Sequence, residues 1–410
     1  MGKVRLKIAV AAIALVLPAL ALIQSRLTHA NLGDSPKAVV DEAWQLVQKE
    51  YVDRTFNAQD WQEVRQDYLA RNYSSQDEAY LAIKEMVDSL EDEYTRFLSP
   101  QALKDIVSNV SGEFIGVGVT VSLDPSTREW IVVKPFIDSP ADVAGIEPND
   151  VITHINGTKT SEINPSQAAP YLIGPVGSKL KIQIRRNEEQ LSYELIREQI
   201  NLNPLTFKTV ESDKGKLGYI RLPVFTSKSP AAMEKAIQTL EEEEVEGYIL
   251  DLRGNPGGVL DAGIAIAQMW VKTGQIMSLT TGKGETEIYD AKQKDLTSRP
   301  LQVLVDEKSA SASEVLAGAI KENQRGQLIG QQTFGKGVVQ SLEKLGDGAG
   351  LLITVAQYFT PTGENIHKKG ISPDQKISSS LKAPATADEL QPQKDEVYLA
   401  AVKNLSKVIP

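Results

Sequence analysis

The chain has 410 residues, 41% of them hydrophobic, and 44 basic against 54 acidic side chains give a formal net charge of −10. That length accommodates two or three domains and a sizeable core. The acidic balance argues against a nucleic-acid binder, which presents a basic patch or stripe, and the absence of cysteine removes disulfides, a thiolate nucleophile and a cysteine zinc cluster.

At the N-terminus Lys3, Arg5 and Lys7 precede an apolar stretch from Ile8 to Ile23 and a polar region ending at Ala30. Basic, apolar and small-residue regions in that order are expected of an export signal comprising residues 1–30. The alternative is a retained membrane anchor, although the apolar stretch is shorter than the roughly 20 residues a spanning helix needs. Removal would take away four basic groups and no acid, leaving 40 against 54 and a net of −14.

Residues 31–110 read as a helical region. Asp34-Ser35-Pro36 is a start signal with Pro36 in the first turn, and Val39, Ala43, Leu46 and Val47 recur at helical spacing. Further helical patterns cover Ala58 to Leu69 and Ser75 to Leu90. Their charged and aromatic residues are a solvated face and a core.

Residues 111–198 form a second unit. Gly116-Val117-Gly118 precedes alternating apolar strands, followed by Ala144-Gly145-Ile146, Asp150-Val151-Ile152 and Ile155-Asn156-Gly157. Together these resemble a PDZ domain. Such domains add an extended peptide to a sheet edge and seat its terminal carboxylate on backbone N–H groups. The resemblance assigns that seat to Phe114, Ile115, Gly116, Val117 and Gly118, with Ala168 to Leu172 near the groove helix. His154 lies on one of the strands and reads as structural.

From Gly218 onward the pattern is α/β. Strands are expected over Gly218–Phe225, Gly247–Leu252, Gln275–Leu279, Leu301–Val305, Gln327–Ile329, Val338–Leu342 and Leu351–Tyr358. Helices are expected over Pro230–Glu243, Ala262–Val271 and Glu314–Asn323, then a polar linker over 378–392 and a last helix over Asp395–Leu405.

Chemistry concentrates in two places. Ser311, in Ser309-Ala310-Ser311-Ala312-Ser313-Glu314, opens a helix directly after an apolar strand, where unpaired N–H groups favour developing negative charge. Lys336 lies between Gly335 and Gly337; a desolvated lysine can lose its proton near neutral pH and act as a base. Each feature alone also reads as an ordinary N-cap and an ordinary turn. Gly330 with Gly335-Lys336 comes close to a phosphate loop, but Gly337 stands where the metal-binding Ser/Thr belongs, so no nucleotide is expected. No His-Glu-x-x-His helix is present, and a histidine base would have to be His154 or His367. Neither a metal nor a cofactor is implied.

Ser309 to Gln340 and Tyr248-Ile-Leu-Asp-Leu-Arg-Gly-Asn-Pro-Gly-Gly258 closely resemble carboxyl-terminal processing proteases, a family of serine peptidases with a Ser–Lys dyad. The resemblance runs from about Tyr94 to Asp374. It implies Ser311 as nucleophile, Lys336 as general base and Gln340 as the group orienting the lysine. It makes the Gly254–Gly258 loop an oxyanion loop, with the backbone N–H groups of Gly257 and Ala312 as donors and Gly258 the near alternative. It further implies a multidomain α/β protein: a PDZ domain inserted between the helical region and a 199–377 peptidase core with the spiral ββα arrangement of crotonases and Clp-type proteases, then a linker and helix over 378–410. Its partners are protein substrates with exposed C-termini, met in a periplasm or thylakoid lumen, with membrane contact through an uncleaved N-terminus. Phe56 to Trp61 and Asp92 to Leu98 resemble the photosynthetic branch, whose task is trimming the photosystem II reaction-centre precursor; a general tail-specific protease shares these features. An inactive PDZ scaffold and a crotonase-type acyl-CoA enzyme are the competing classes, and labelling by a serine-reactive phosphonate separates enzyme from scaffold.

Overall fold

The computed structural model describes residues 15–16 and 35–409, except 125, 137, 164–170, 202 and 380. The proposed export signal therefore lies outside the described residues apart from Leu15–Val16, which add a two-residue parallel strand to Val338–Lys344. Among the described residues no helix is long and apolar enough to cross a membrane. The chain forms two compact units, one of residues 1–110 with 204–410 and one of residues 111–203.

In the larger unit, one sheet carries strands Thr206–Ser212, Gly215–Arg221, Gly247–Asp251, Leu301–Val305, Gln327–Gly330 and Gln375–Lys376 in that order. The first pair is a hairpin and all later neighbours are parallel. Gly247–Asp251 and Leu301–Val305 are buried at every position, as strands covered on both faces must be. A second, largely antiparallel sheet pairs Val338–Lys344 with Gly350–Phe359, which also pairs Gln275–Thr281 and Arg96–Leu98. Helices Ser229–Glu242, Leu260–Trp270 and Ala312–Glu322 share one apolar cluster with residues of both sheets.

Helices Pro36–Glu50 and Gln76–Asp88 place Val40, Ala43, Val47, Ile83 and Met86 against Leu351 and Ile353 of the antiparallel sheet and Leu345 in the turn before them. The N-terminal helices thus belong to the same compact unit as the peptidase core rather than forming a separate domain. The same holds at the C-terminus. Helix Glu396–Val408 covers Leu217, Tyr219, Ile249 and Leu304 of the parallel sheet. Segment 378–392, expected as a loose linker, is pinned where Arg221 Nε donates to the Pro384 carbonyl (2.7 Å) and Ala387 N–H to Thr206 Oγ1 (2.7 Å).

The smaller unit holds a six-stranded antiparallel sheet in which Val119–Leu123, Trp130–Pro135, Val151–Ile155, Lys179–Arg186 and Glu189–Ile196 lie in that order and Thr158–Lys159 pairs with Val151–Ile155. Its core comprises Val117, Trp130, Val132, Ile152, Ile155, Leu180, Ile182 and Ile184. Val119–Leu123 is an edge strand, so one row of its backbone groups is open to pairing.

Candidate functional site

Ser311 follows the loop that leaves strand Leu301–Val305. Asp306 Oδ1 gathers that loop by accepting from Lys308 N–H (3.0 Å) and Ser309 N–H (3.1 Å), and from Gly254 N–H (2.7 Å) at the end of the adjacent strand. Ala310 N–H and Ser313 Oγ both donate to the Asn255 carbonyl, each at 3.0 Å. The loops beyond two neighbouring parallel strands are thereby tied together at the carboxyl end of the sheet, where α/β folds build their sites. Ser311 itself has φ +59° and ψ −116°, a conformation that costs a non-glycine residue about 1–3 kcal/mol and persists only where its surroundings enforce it. Its Oγ is buried and has no hydrogen-bond partner among the described residues.

The Gly254–Gly258 loop lies directly against it. A Cβ on Gly257 would come within 2.9 Å of Ser311 Cβ and 3.0 Å of Ala312 N, so only glycine permits this approach. The Gly257 N–H, expected as an oxyanion donor, instead donates to the Asn255 side-chain oxygen (2.8 Å). That oxygen is fixed because the Asn255 amide donates to the Leu222 carbonyl (2.8 Å). Among the described residues, neither the Gly258 N–H, the near alternative in the loop, nor the Ala312 N–H at the helix start has an acceptor.

Lys336 is completely buried. Its Nζ donates to Gln340 Oε1 (2.7 Å) and lies 4.8 Å from the centre of the Tyr94 ring. The Gln340 amide in turn donates to the Tyr94 carbonyl. Burial, reinforced by the positive charge of Arg96, pushes the Lys336 ammonium down to about 7 against the pull of Asp92, Glu314 and Glu93. No hydrogen bond joins Lys336 Nζ to Ser311 Oγ in this structure. Such contacts are often long without substrate and tighten on binding.

Glu314, one turn into the Ser311 helix, is the organiser that the sequence reading missed. Its Oε2 accepts from the backbone N–H of both Ser311 (2.8 Å) and Lys336 (2.9 Å). Its Oε1 accepts from Gly335 N–H (2.7 Å) and Thr333 Oγ1 (2.6 Å). One buried carboxylate thus fixes the backbone of the candidate nucleophile to that of the candidate base. Burial raises the carboxyl above its ordinary value, and the four donors oppose that. The signal was present as Ser-x-x-Glu, the spacing of a capping box.

A second buried set braces the loop. Arg253 is held by Asp251 (Nε–Oδ1 3.0 Å, Nη2–Oδ2 2.6 Å) and by Asp395 (2.9 and 2.7 Å), and Asp395 caps the last helix through Tyr398 N–H. Burial alone would raise Asp251; Arg253 and Arg221 outweigh it and hold the carboxyl below its ordinary value. His367, set aside from sequence, packs beside Gly337 and edge-on to Tyr94 at 5.9 Å. Its Nδ1 is buried without a partner among the described residues, so no carboxylate orients it as a triad would require.

In the PDZ unit, Glu113–Gly116 is a strand paired with Glu198–Asn201, and Ile115 is exposed. Val117 is 1% exposed within the core, so its side chain is structural rather than groove-lining. Of the expected groove helix, residues 168–170 lie outside the described residues.

Fold and site together define a serine peptidase with an inserted PDZ domain, and comparison with known proteins agrees. Residues 216–377 match the model of peptidase family S41, and residues 132–186 that of the PDZ domain. A carboxyl-terminal-processing protease of Synechocystis is 37% identical over 92% of this chain and 90% of its own. The chloroplastic carboxyl-terminal-processing peptidase 2 of Arabidopsis thaliana is 36% identical over 88% and 71%. The solved photosystem II D1 C-terminal processing protease superposes with a TM-score of 0.60 at 32% identity, covering 89% of this chain and 99% of that one. The chain belongs to the carboxyl-terminal processing proteases.

Proposed function

We propose that this is an exported endopeptidase working through a Ser311–Lys336 dyad, which selects substrates by their C-termini and removes C-terminal extensions. The neutral Lys336 amine accepts the Ser311 hydroxyl proton as Oγ attacks the scissile carbonyl carbon. The tetrahedral oxyanion is met by the backbone N–H groups of Ala312 and Gly258, a contribution worth ~10²–10³ in rate per donor. Collapse breaks the C–N bond, and the Lys336 ammonium gives its proton to the departing amine. Water then enters, Lys336 takes its proton, and the acyl-enzyme is hydrolysed with Ser311 restored. Gln340 keeps the lysine on station throughout. The observation that carries this reading is a wholly buried lysine, depressed to about 7, whose backbone shares a single Glu314 oxygen with the strained Ser311.

Substrate choice falls to the PDZ unit, whose edge strand Val119–Leu123 takes up an extended tail while the Phe114 to Gly118 backbone receives its carboxylate. Likeness to the photosystem II D1 processing protease makes a reaction-centre precursor tail the first substrate to try, in a thylakoid lumen or periplasm. Incubating the full chain with that precursor and identifying the new C-terminus by mass spectrometry tests the assignment. Cleavage at one site near the tail is expected, and cleavage lost when the terminal carboxylate is amidated. Failure to cut this precursor, with other exposed tails degraded, would indicate a general tail-specific protease.

A further inference from the structure

Arg197, Arg221 and Arg253 are buried and Arg325 half-buried, and the guanidinium of each finds hydrogen-bond acceptors. Arg253 has Asp251 and Asp395. Arg325 has the carbonyls of Trp270, Thr297 and Arg299. Arg221 has those of Pro384, Leu222 and Asp251, and Arg197 those of Leu172, Lys179 and Tyr171. Arg96 differs. It is half-buried, its Nε is fully buried, and that Nε has no hydrogen-bond partner among the described residues. Burial shifts its guanidinium downward.

Its position is set by the sheet. Arg96 pairs with Leu352, and Leu352 pairs with Leu342 on the far side of the same strand. Directly paired residues share a face, and so do residues two apart on one strand. Arg96, Leu342 and Gln340 therefore rise from the same face, on which Gln340 holds Lys336. Arg96 also follows Tyr94 and Thr95, whose backbone and side chain hold Gln340 and Thr354. Repulsion of Lys336 accounts for a positive charge here. It does not account for an N–H taken out of water with nothing to bond, which costs free energy until an acceptor arrives.

We propose that Arg96 binds a carboxylate of the substrate beside the scissile bond and so determines specificity at the cleavage site. A guanidinium is the natural receptor for a planar carboxylate. That carboxylate belongs either to an Asp or Glu side chain flanking the cut or to the chain terminus itself. The proposal rests on the reading of Ser311 and Lys336 as the reacting pair.

The test uses the full chain and two matched peptide series: Glu against Gln scanned through the positions flanking the cut, and free-acid against amidated ends. Relative kcat/KM is measured for wild type, Arg96→Gln and Arg96→Lys. Wild type is expected to favour the carboxylate roughly 10- to 100-fold in one series, the worth of a charge-assisted hydrogen bond. Arg96→Gln should abolish the Glu/Gln ratio, or reduce the acid/amide ratio to the part the PDZ unit carries, and Arg96→Lys should retain part of the difference. Loss of the Glu/Gln ratio identifies a side chain as the source, and a reduced acid/amide ratio the terminus. The comparison of each ratio between wild type and variant separates Arg96 from the PDZ unit, which the substitution leaves intact. Should Arg96→Gln not fold, Arg96→Lys decides by the same ratios. Ratios unchanged in both series overturn the proposal, whereas hydrolysis that survives Ser311→Ala overturns the catalytic reading instead.

Discussion

Substitution at Glu314 probes how the site is assembled. Glutamine preserves size but offers one acceptor oxygen where the carboxylate offers two. In the arrangement of least conflict, that oxygen keeps the Ser311 and Lys336 N–H groups and the new NH₂ faces Gly335 and Thr333. The Thr333 hydroxyl can turn to accept, but Gly335 N–H is left unpaired, a loss of ~1–3 kcal/mol. Two remaining bonds lose their charge assistance, about 1 kcal/mol each. Against this, the buried carboxylate no longer has to be desolvated, a saving of several kcal/mol. The terms nearly cancel, so Glu314→Gln should melt within a few degrees of wild type, at roughly 2–4 °C per kcal/mol. Its kcat should fall about 10- to 100-fold, because a misplacement of ~1 Å is worth that much. Glu314→Ala removes all four acceptances and should lose activity altogether while lowering Tm clearly. Paired thermal melts and steady-state hydrolysis measure both. Activity within tenfold of wild type in Glu314→Ala would refute the role given to this carboxylate.

A lysine base acts only when unprotonated, so a pKa of about 7 makes kcat/KM rise tenfold per pH unit below neutrality and level off above it; Arg96→Gln removes a like charge and should move the rise to higher pH, and a flat profile for a non-ionising substrate contradicts the assignment. Gly257→Ala combines a φ of +96° with a Cβ 2.7 Å from the Ala310 carbonyl oxygen, and should cut kcat by ~10² with KM little changed, since displacement falls on the reacting geometry. Asp395→Ala breaks a buried bidentate ion pair, worth ~3–5 kcal/mol, and removes a helix cap, ~1 kcal/mol; calorimetry should show Tm lower by about 10 °C, and an unchanged Tm would mean that the last helix does not brace the loop.

Much of this could be read from the chain because local chemistry and global fold agree. The buried strand Leu301–Val305 was legible from its uninterrupted apolar run, and Ser35-Pro36 marked the start of a helix that begins at Pro36. Strands Thr206–Ser212 and Thr286–Asp290 were not, because they are edge partners, the first half-buried and the second largely exposed, whose existence depends on the neighbour they pair with. Ser311 and Lys336 stood out by residue type and flanking glycines. Glu314 did not, since a Glu three residues after a Ser normally signals no more than a helix cap. The bond from Gly257 N–H to the Asn255 side-chain oxygen, which underlies the choice of Gly258 in the proposed mechanism, is encoded by no pattern of glycines. Arg96 was visible only as part of a motif; that its Nε lacks a partner among the described residues is a property of packing.

In the proposed mechanism Ser311 is the nucleophile and Lys336 its base. Treating the full chain with a serine-reactive phosphonate and mapping the adduct by peptide mass spectrometry tests it most directly. A single adduct on Ser311 is expected, with none in Ser311→Ala and labelling of Lys336→Ala slowed by several orders of magnitude at neutral pH. An adduct on another serine, or labelling of Lys336→Ala at the wild-type rate, would contradict it.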